Sequence, residues 1–303
     1  MVQKKVYTMQ DIANEVGVSK ATVSYVLNNK KGARVSDATR KKILQVANLY
    51  NYVPNISART LSQSQSKLIG VLINEKKEKF LRLDDNEFLN CLKNSFFALD
   101  YNMVFIRNRE HFDYIDLAYD AIIAINYDNE KINKIADSTF SPLILIDSIN
   151  ENFLFFKIHN DYSQAIKLAL TSYNNQDNCI LVYDKFNNEK MNQSLSSHSN
   201  YIEEYAYQDK NDLIELFRKN KYKNYIIIGE ALGFLAEQYL LEEQFVVICV
   251  DKPIILKSTT KTIYFSNKYK AEVVSEIADN LVKKMYEIYD SHEVKLKYIS
   301  SNL

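Results

Sequence analysis

The chain has 303 residues, 47% apolar and 25% charged, which is enough to bury a sizeable core in one large body beside a small head. Its 38 basic and 38 acidic side chains cancel overall, yet residues 1–67 hold eleven Lys/Arg against three Asp/Glu, a net of +8, and the remainder carries −8. That asymmetry points to a polyanion partner for the head alone, while Cys91, Cys179 and Cys249, odd in number and far apart, read as reduced core cysteines and not as a disulfide frame or a zinc site.

Thr8 is placed to cap a first helix, with Asp11 as the reciprocal acid of a capping box. Ile12, Ala13 and Val16 then share one face, and Gly17 supplies a stop where φ can turn positive. Ser19 caps a second helix in which Val23, Val26 and Leu27 face inward at helical spacing. Two short helices joined through Val16-Gly17-Val18 make a helix-turn-helix signature, the second helix being the one that enters a DNA major groove. It leaves Lys20, Ala21, Thr22, Ser24, Tyr25 and Asn28 facing outward, short or polar as close approach to bases and phosphates requires. After a basic loop at 29–34, Ser36 caps a third helix whose Ile43, Val46, Ala47 and Tyr50 complete a small core. Pro54 ends this unit. Residues 55–62 have the length of a short helix but little apolar surface to hold one, so they are expected to fold only when something holds them.

A polar linker, Ser62-Gln63-Ser64-Gln65-Ser66, leads into the body. There, continuous apolar runs at 68–73, 103–106, 121–125, 143–146, 179–182, 225–228 and 245–250 read as strands buried on both faces. Helical segments at 88–99, 162–173, 213–218 and 232–241 fall between several of them, which predicts parallel sheets in an α/β body. Two lobes would place a ligand cleft at the strand C-termini.

The head resembles that of the lactose-repressor and galactose-repressor family of bacterial transcriptional regulators. The matching residues are Asp11-Ile12-Ala13, Gly17-Val18-Ser19, Thr22-Val23-Ser24, Val26-Leu27-Asn28, Val35-Ser36, Thr39-Arg40, Tyr52-Val53-Pro54-Asn55 and Ala58-Arg59-Thr60-Leu61. The body resembles the same family more sparsely, through Ile69-Gly70-Val71, residues 119–123, Leu145-Ile146-Asp147, Asn160-Asp161-Tyr162, Val250-Asp251 and a closing strand at 296–301. The loop between Asn28 and Val35 is about two residues longer than the family pattern. Residues 183–200 lack the arginine that grips effector in the family, and Gly229-Glu230 stands where an asparagine-aspartate pair is usual.

The resemblance implies an all-α helix-turn-helix head (1–54), a hinge helix and linker (55–66) and a two-lobed, periplasmic-binding-protein-like α/β body (67–303). DNA contacts are implied at Thr8, Met9, Ser19, Lys20, Ala21, Thr22, Ser24, Tyr25, Asn28, Ser36, Thr39, Tyr52, Asn55, Ala58, Arg59 and Leu61. Among these, Lys20, Ala21 and Tyr25 would choose bases, and Leu61 would wedge into the central base step of the minor groove. Effector contacts are expected at Asp251, Glu230 and Asp161. The implied function is a dimeric repressor of carbohydrate-related genes on a pseudo-palindromic operator, answering to a sugar or sugar phosphate. The alternative keeps the DNA binding but gives the body a protein partner, or dimerisation alone. No nucleotide cradle, catalytic elbow or ligand-spaced cluster among His111, His159, His198 and His292 is present, so no enzyme, cofactor or metal is expected. A cytoplasmic protein without a membrane segment is expected.

Overall fold

The computed structural model describes residues 8–27, 35–49, 66–74, 83–106, 119–139, 141–152, 155–174, 178–196, 202–283, 293–296 and 299–301, and counts and absences below concern these. The chain forms two compact units, Met1–Gln65 and Ser66–Leu303. The expected third-helix core residue Tyr50 and the hinge segment 55–65 lie outside the described residues.

In the first unit, α1 (Met9–Val16), α2 (Lys20–Leu27) and α3 (Asp37–Leu49) close around Ile12, Ala13, Val16, Val23, Val26, Leu27, Ile43 and Ala47. The capping box forms as expected: Asp11 Oδ2 accepts from Thr8 N and Thr8 Oγ1, both at 2.7 Å, and Asp11 N donates back to Thr8 Oγ1 at 3.3 Å. Gly17 ends α1 at φ 75°, where its own N–H and that of Val18 both reach Ala13 O at 3.0 Å. A left-handed residue there turns the chain sharply enough for α2 to pack back on α1.

The second unit begins at β1 (Leu68–Ile73) and continues through α4 (Leu83–Ala98), β2 (Asn102–Phe105), β3 (Ala121–Ile125), α5 (Asn129–Ser138), β4 (Leu143–Ile146) and β5 (Phe156–Asn160). Then follow α6 (Tyr162–Leu170), β6 (Cys179–Tyr183), α7 (Glu189–Ser196), β7 (Ile202–Ala206), α8 (Lys210–Lys219), β8 (Asn224–Ile228), α9 (Glu230–Ala236), β9 (Phe245–Cys249) and β10 (Thr262–Tyr264). The last elements are α10 (Asn267–Val282), β11 (Glu293–Leu296) and β12 (Ile299–Ser301). One sheet has the order β11-β5-β4-β3-β1-β2 and is parallel throughout; the other runs β12-β10-β9-β8-β6-β7, with only β12 antiparallel. The chain passes between the sheets after β5, after β10 and between β11 and β12, so each lobe is built from segments distant in sequence.

The apolar runs became central strands because both sheet faces are covered: Ile122, Ile144, Ile180, Ile226 and Val246 are fully buried. Three expectations are corrected. The closing strand at 296–301 is two strands, β11 in the first sheet and β12 in the second. The helix expected at 232–241 starts at Glu230 and stops at Ala236, and the one expected at 88–99 starts at Leu83. Strands β5, β7 and β10 and the long helix α10 were not anticipated.

Close approach of α9 to β9 explains one of the five glycines. A Cβ on Gly233 would lie 2.7 and 2.8 Å from the two γ-methyls of Val247, itself fully buried. A β-branched side chain has little rotamer freedom to yield. Gly233→Ala should therefore destabilise the body by about 1–3 kcal/mol through overpacking, read from a shift in the urea midpoint at unchanged m. A stabilising shift, as expected for Gly→Ala in an uncrowded helix, would contradict this packing.

Candidate nucleic-acid interface and inter-lobe cleft

The head presents the N-terminus of α2 with its own capping machinery. Ser19 Oγ accepts from Thr22 N at 3.0 Å and shares a 2.8 Å hydroxyl contact with Thr22 Oγ1. Ser36 and Thr39 repeat the pattern at the start of α3, at 3.1 and 2.8 Å. The caps leave other first-turn N–H groups of each helix unpaired within the helix, and those amides carry the positive end of the helix dipole, which suits phosphate. Val23, Val26 and Leu27 point into the core, so Lys20, Ala21 and Tyr25 are exposed on the other side, Tyr25 to 45%.

Not every expected contact residue sits alike. Thr8 and Ser36 are exposed at helix caps, Thr22 and Thr39 are half-buried, and Met9 packs partly against the core. Ser24 lies within α2. Asn28, Tyr52, Asn55, Ala58, Arg59 and Leu61 lie outside the described residues.

In the body, the C-terminal ends of β1, β3, β4, β6, β8 and β9 converge on a cleft lined by residues from both lobes, with a cavity of about 60 Å³. That is well below the roughly 300–1,000 Å³ of a usual small-molecule pocket. Two strand ends carry left-handed non-glycine residues, Asn126 at φ 59° and Asp147 at φ 48°, the residue types that tolerate this region best. Lys270, on α10 and almost wholly buried, donates to Asp147 Oδ1 at 2.7 Å and Oδ2 at 2.8 Å, and its ammonium lies 5.1 Å from the centre of the Phe88 ring. Hydrogen bonds from one ammonium to both carboxylate oxygens are what make so buried an ion pair tolerable.

One rim is latched by two consecutive asparagines. Asn187 N donates to Asn126 Oδ1 at 2.9 Å, and Asn188 Nδ2 donates to Tyr127 O at 3.0 Å. The fully buried Asn188 also accepts at Oδ1 from Ile149 N, 3.2 Å, and Met191 N, 3.1 Å. It therefore caps α7 of one lobe while holding loops of the other. These residues fall in the stretch where the effector-gripping arginine was sought.

The three expected effector residues do structural work in this arrangement. Asp251 accepts from Asn267 N at 3.1 Å and from Lys252 N at 2.7 Å, fixing the start of α10. Glu230, 4% exposed, takes the N–H groups of Ile254 and Ile255 on Oε1 and so pins the loop after β9 against α9. Asp161 caps α6 through Gln164 N at 3.2 Å, at the crossover between lobes. None of the three lines the cavity, whereas Asn126, Asp147, Asp184, Asn267 and Lys270 do. A strand-end rule applied to each apolar run would have found Asn126 and Asp184, which directly follow or nearly follow β3 and β6. Lys270 gave no such signal.

Residues 8–55 match the family described as "Bacterial regulatory proteins, lacI family". The HTH-type transcriptional regulator MalR of Clostridium butyricum is 38% identical over 100 residues, 33% of this chain and 28% of the relative. The sucrose operon repressor of Klebsiella pneumoniae is 43% identical over 75 residues, 24% of this chain and 22% of that protein. The chain thus aligns with about a quarter of the length of these two curated relatives. Solved structures extend the likeness to the whole fold: a CelR–cellobiose complex aligns at TM-score 0.63 and 12% identity, and a lac repressor dimer bound to operator and the anti-inducer ONPF at 0.61 and 16%, each over 98% of both chains.

Proposed function

Because residues 8–55 match the lacI family of bacterial regulatory proteins, we propose that the chain is a sequence-specific DNA-binding transcriptional regulator, a repressor of carbohydrate-related genes. It binds a pseudo-palindromic operator as a homodimer, since two-fold protein symmetry calls for two-fold sites. The observation that carries this reading is α2: a capped helix whose apolar face is sealed in the core and whose Lys20, Ala21 and Tyr25 stand exposed beside the free amides of its first turn. The body's exposed apolar side chains on and after α9, Phe234, Leu241, Ile254 and Ile255, support self-association. The cleft supports a small-molecule effector, which changes DNA affinity only through its differential affinity for two lobe arrangements.

Footprinting on the DNA upstream of the protein's own gene tests the reading. Protection of two half-sites, weakening steeply with salt, is the expected result; no protected palindrome at moderate salt overturns it. On that operator, Lys20→Ala should relax base preference at one symmetric position by about 1–3 kcal/mol, measured by competition between operator variants. Equal weakening on every sequence would make Lys20 a phosphate contact instead.

A further inference from the structure

The chain enters the body through a bend that its own sequence does not favour. Lys67 stands at φ 55°, a left-handed backbone that lysine keeps only where its surroundings hold it there. Asp120, 53 residues further on, supplies the grip. Its Oδ1 accepts from Ser66 N and Ser66 Oγ, both at 3.0 Å, and its Oδ2 accepts from Lys67 N at 2.9 Å. Two successive amides thus share one carboxylate, an acceptor that makes stronger bonds than a neutral oxygen. Lys67 O accepts from Asn102 N at 2.7 Å, and the Lys67 ammonium lies 4.5 Å from the centre of the Tyr101 ring. Ser66 is the first residue of the second unit, so this bend sets the direction in which the linker joins the body.

The same carboxylate stands at one end of a strand whose other end lies at the inter-lobe rim. Asp120 immediately precedes β3, and its N–H donates to Leu68 O at 2.8 Å, at the start of β1. All five residues of β3 are buried, with β1 paired on one side and β4 on the other. A strand packed on every side shifts as one piece, because a close-packed interior does not deform continuously. About 20 Å along from Asp120, at the usual rise of a strand, come Asn126 and Tyr127. There Asn126 Oδ1 accepts from Asn187 N and Tyr127 O accepts from Asn188 Nδ2, both from the other lobe.

We propose that Asp120 is a positioning residue for operator binding, coupling the lobe latch to the linker by holding Lys67 left-handed while the lobes are closed. The inference rests on the DNA-binding reading above. When the lobes part, the bonds from Asn187 and Asn188 to the end of β3 are lost and the strand settles differently against β1. The Asp120 carboxylate then no longer meets both amides, and Lys67 relaxes to the extended backbone that lysine favours. The bend has two states, and the latch biases them through a single strand, as coupling between distant sites requires.

Operator titration and X-ray scattering on the full-length wild type, Asn188→Ala, Asp120→Asn and the double variant test this. Asn188→Ala should change the operator Kd at least about fivefold in the wild-type background and less than about twofold in the Asp120→Asn background. The radius of gyration should rise equally in both, since the lobes still open. A residue that merely supports the fold would shift the urea midpoint and leave the ratio of affinities unchanged. Lys67→Gly repeats the test should Asp120→Asn fold poorly, because glycine takes left-handed and extended backbone with similar ease and so frees the bend from the clamp. An equal affinity ratio in both backgrounds overturns the assignment. So does a rise in radius without a change in affinity, or no rise at all, while operator binding by the wild type stands. No operator binding by the wild type overturns the DNA-binding reading and the coupling with it.

Discussion

Lys270→Met is expected to lower the stability of the body by about 3–5 kcal/mol, the scale for removing one partner of a buried ion pair. Lys270 and Asp147 have side chains 5% and 19% exposed, and the two short bonds between them leave little of the pair to water. Methionine matches the length of the stem and keeps the contact with Phe88, so the packing change is small and the loss is electrostatic. The carboxylate cannot readily swing out to solvent, because Asp147 is held in a left-handed turn, with its N–H donating to Ile158 O at 3.1 Å. Urea unfolding of the wild type, the single variant and Lys270→Met/Asp147→Asn reads the effect. The double variant should recover most of the loss, since it no longer buries an unpaired charge. If the single and double variants unfold at the same midpoint, the pair is a surface contact in energetic terms and the cleft is wetter than its geometry implies.

That ion pair also shows where a sequence stops being informative. Strands β1, β3, β4, β6, β8 and β9 are legible because a strand covered on both faces must be apolar at every position. Phe156-Lys157-Ile158-His159-Asn160 fails that test although all five residues are buried. Lys157 and His159 are held by partners the local sequence does not announce. His159 Nε2 meets Glu293 Oε1 at 3.1 Å across the β5–β11 edge, and Lys157 Nζ reaches the carbonyls of Asn150 and Asn152 at 3.4 Å. Burial lowers the Lys157 pKa, with the Glu293 carboxylate opposing the shift.

The head was legible for the opposite reason. Its caps, its glycine turn and its core contacts lie within a few residues of one another, so local spacing carries the geometry: Thr8 with Asp11, Ser19 with Thr22, Ser36 with Thr39. The cleft gathers side chains from β3, β4, β6 and α10, joined by 123 residues between Asp147 and Lys270 alone. Asp251 shows how position and contacts diverge: it follows β9 closely, and its Oδ2 accepts from Asn267 N at the start of α10 while its Oδ1 accepts from Lys252 N.

The lobe latch gives the second large effect. Asn188→Ala should cost about 3 kcal/mol or more, because it leaves Tyr127 O, Ile149 N and Met191 N each short of a side-chain partner in a buried place, at about 1–3 kcal/mol for a fully stranded group. The neighbouring Asn187→Ala should be nearly silent, within about 0.5 kcal/mol, since Asn187 ties the lobes through its backbone N–H and its side chain is exposed. The contrast between adjacent asparagines distinguishes a latch from a generally sensitive loop. The variants should also part company in solution shape. Removing Asn188 weakens contacts that join β3 and the loop after β4 to α7, so the open arrangement gains population and the radius of gyration from X-ray scattering rises for Asn188→Ala alone. An operator titration then reads whether the opened body binds DNA more or less tightly, which fixes the sign of the coupling between cleft and head. Should both variants keep wild-type stability and radius, the lobes are held by packing rather than by Asn188, and closure would have to be controlled from within the cleft.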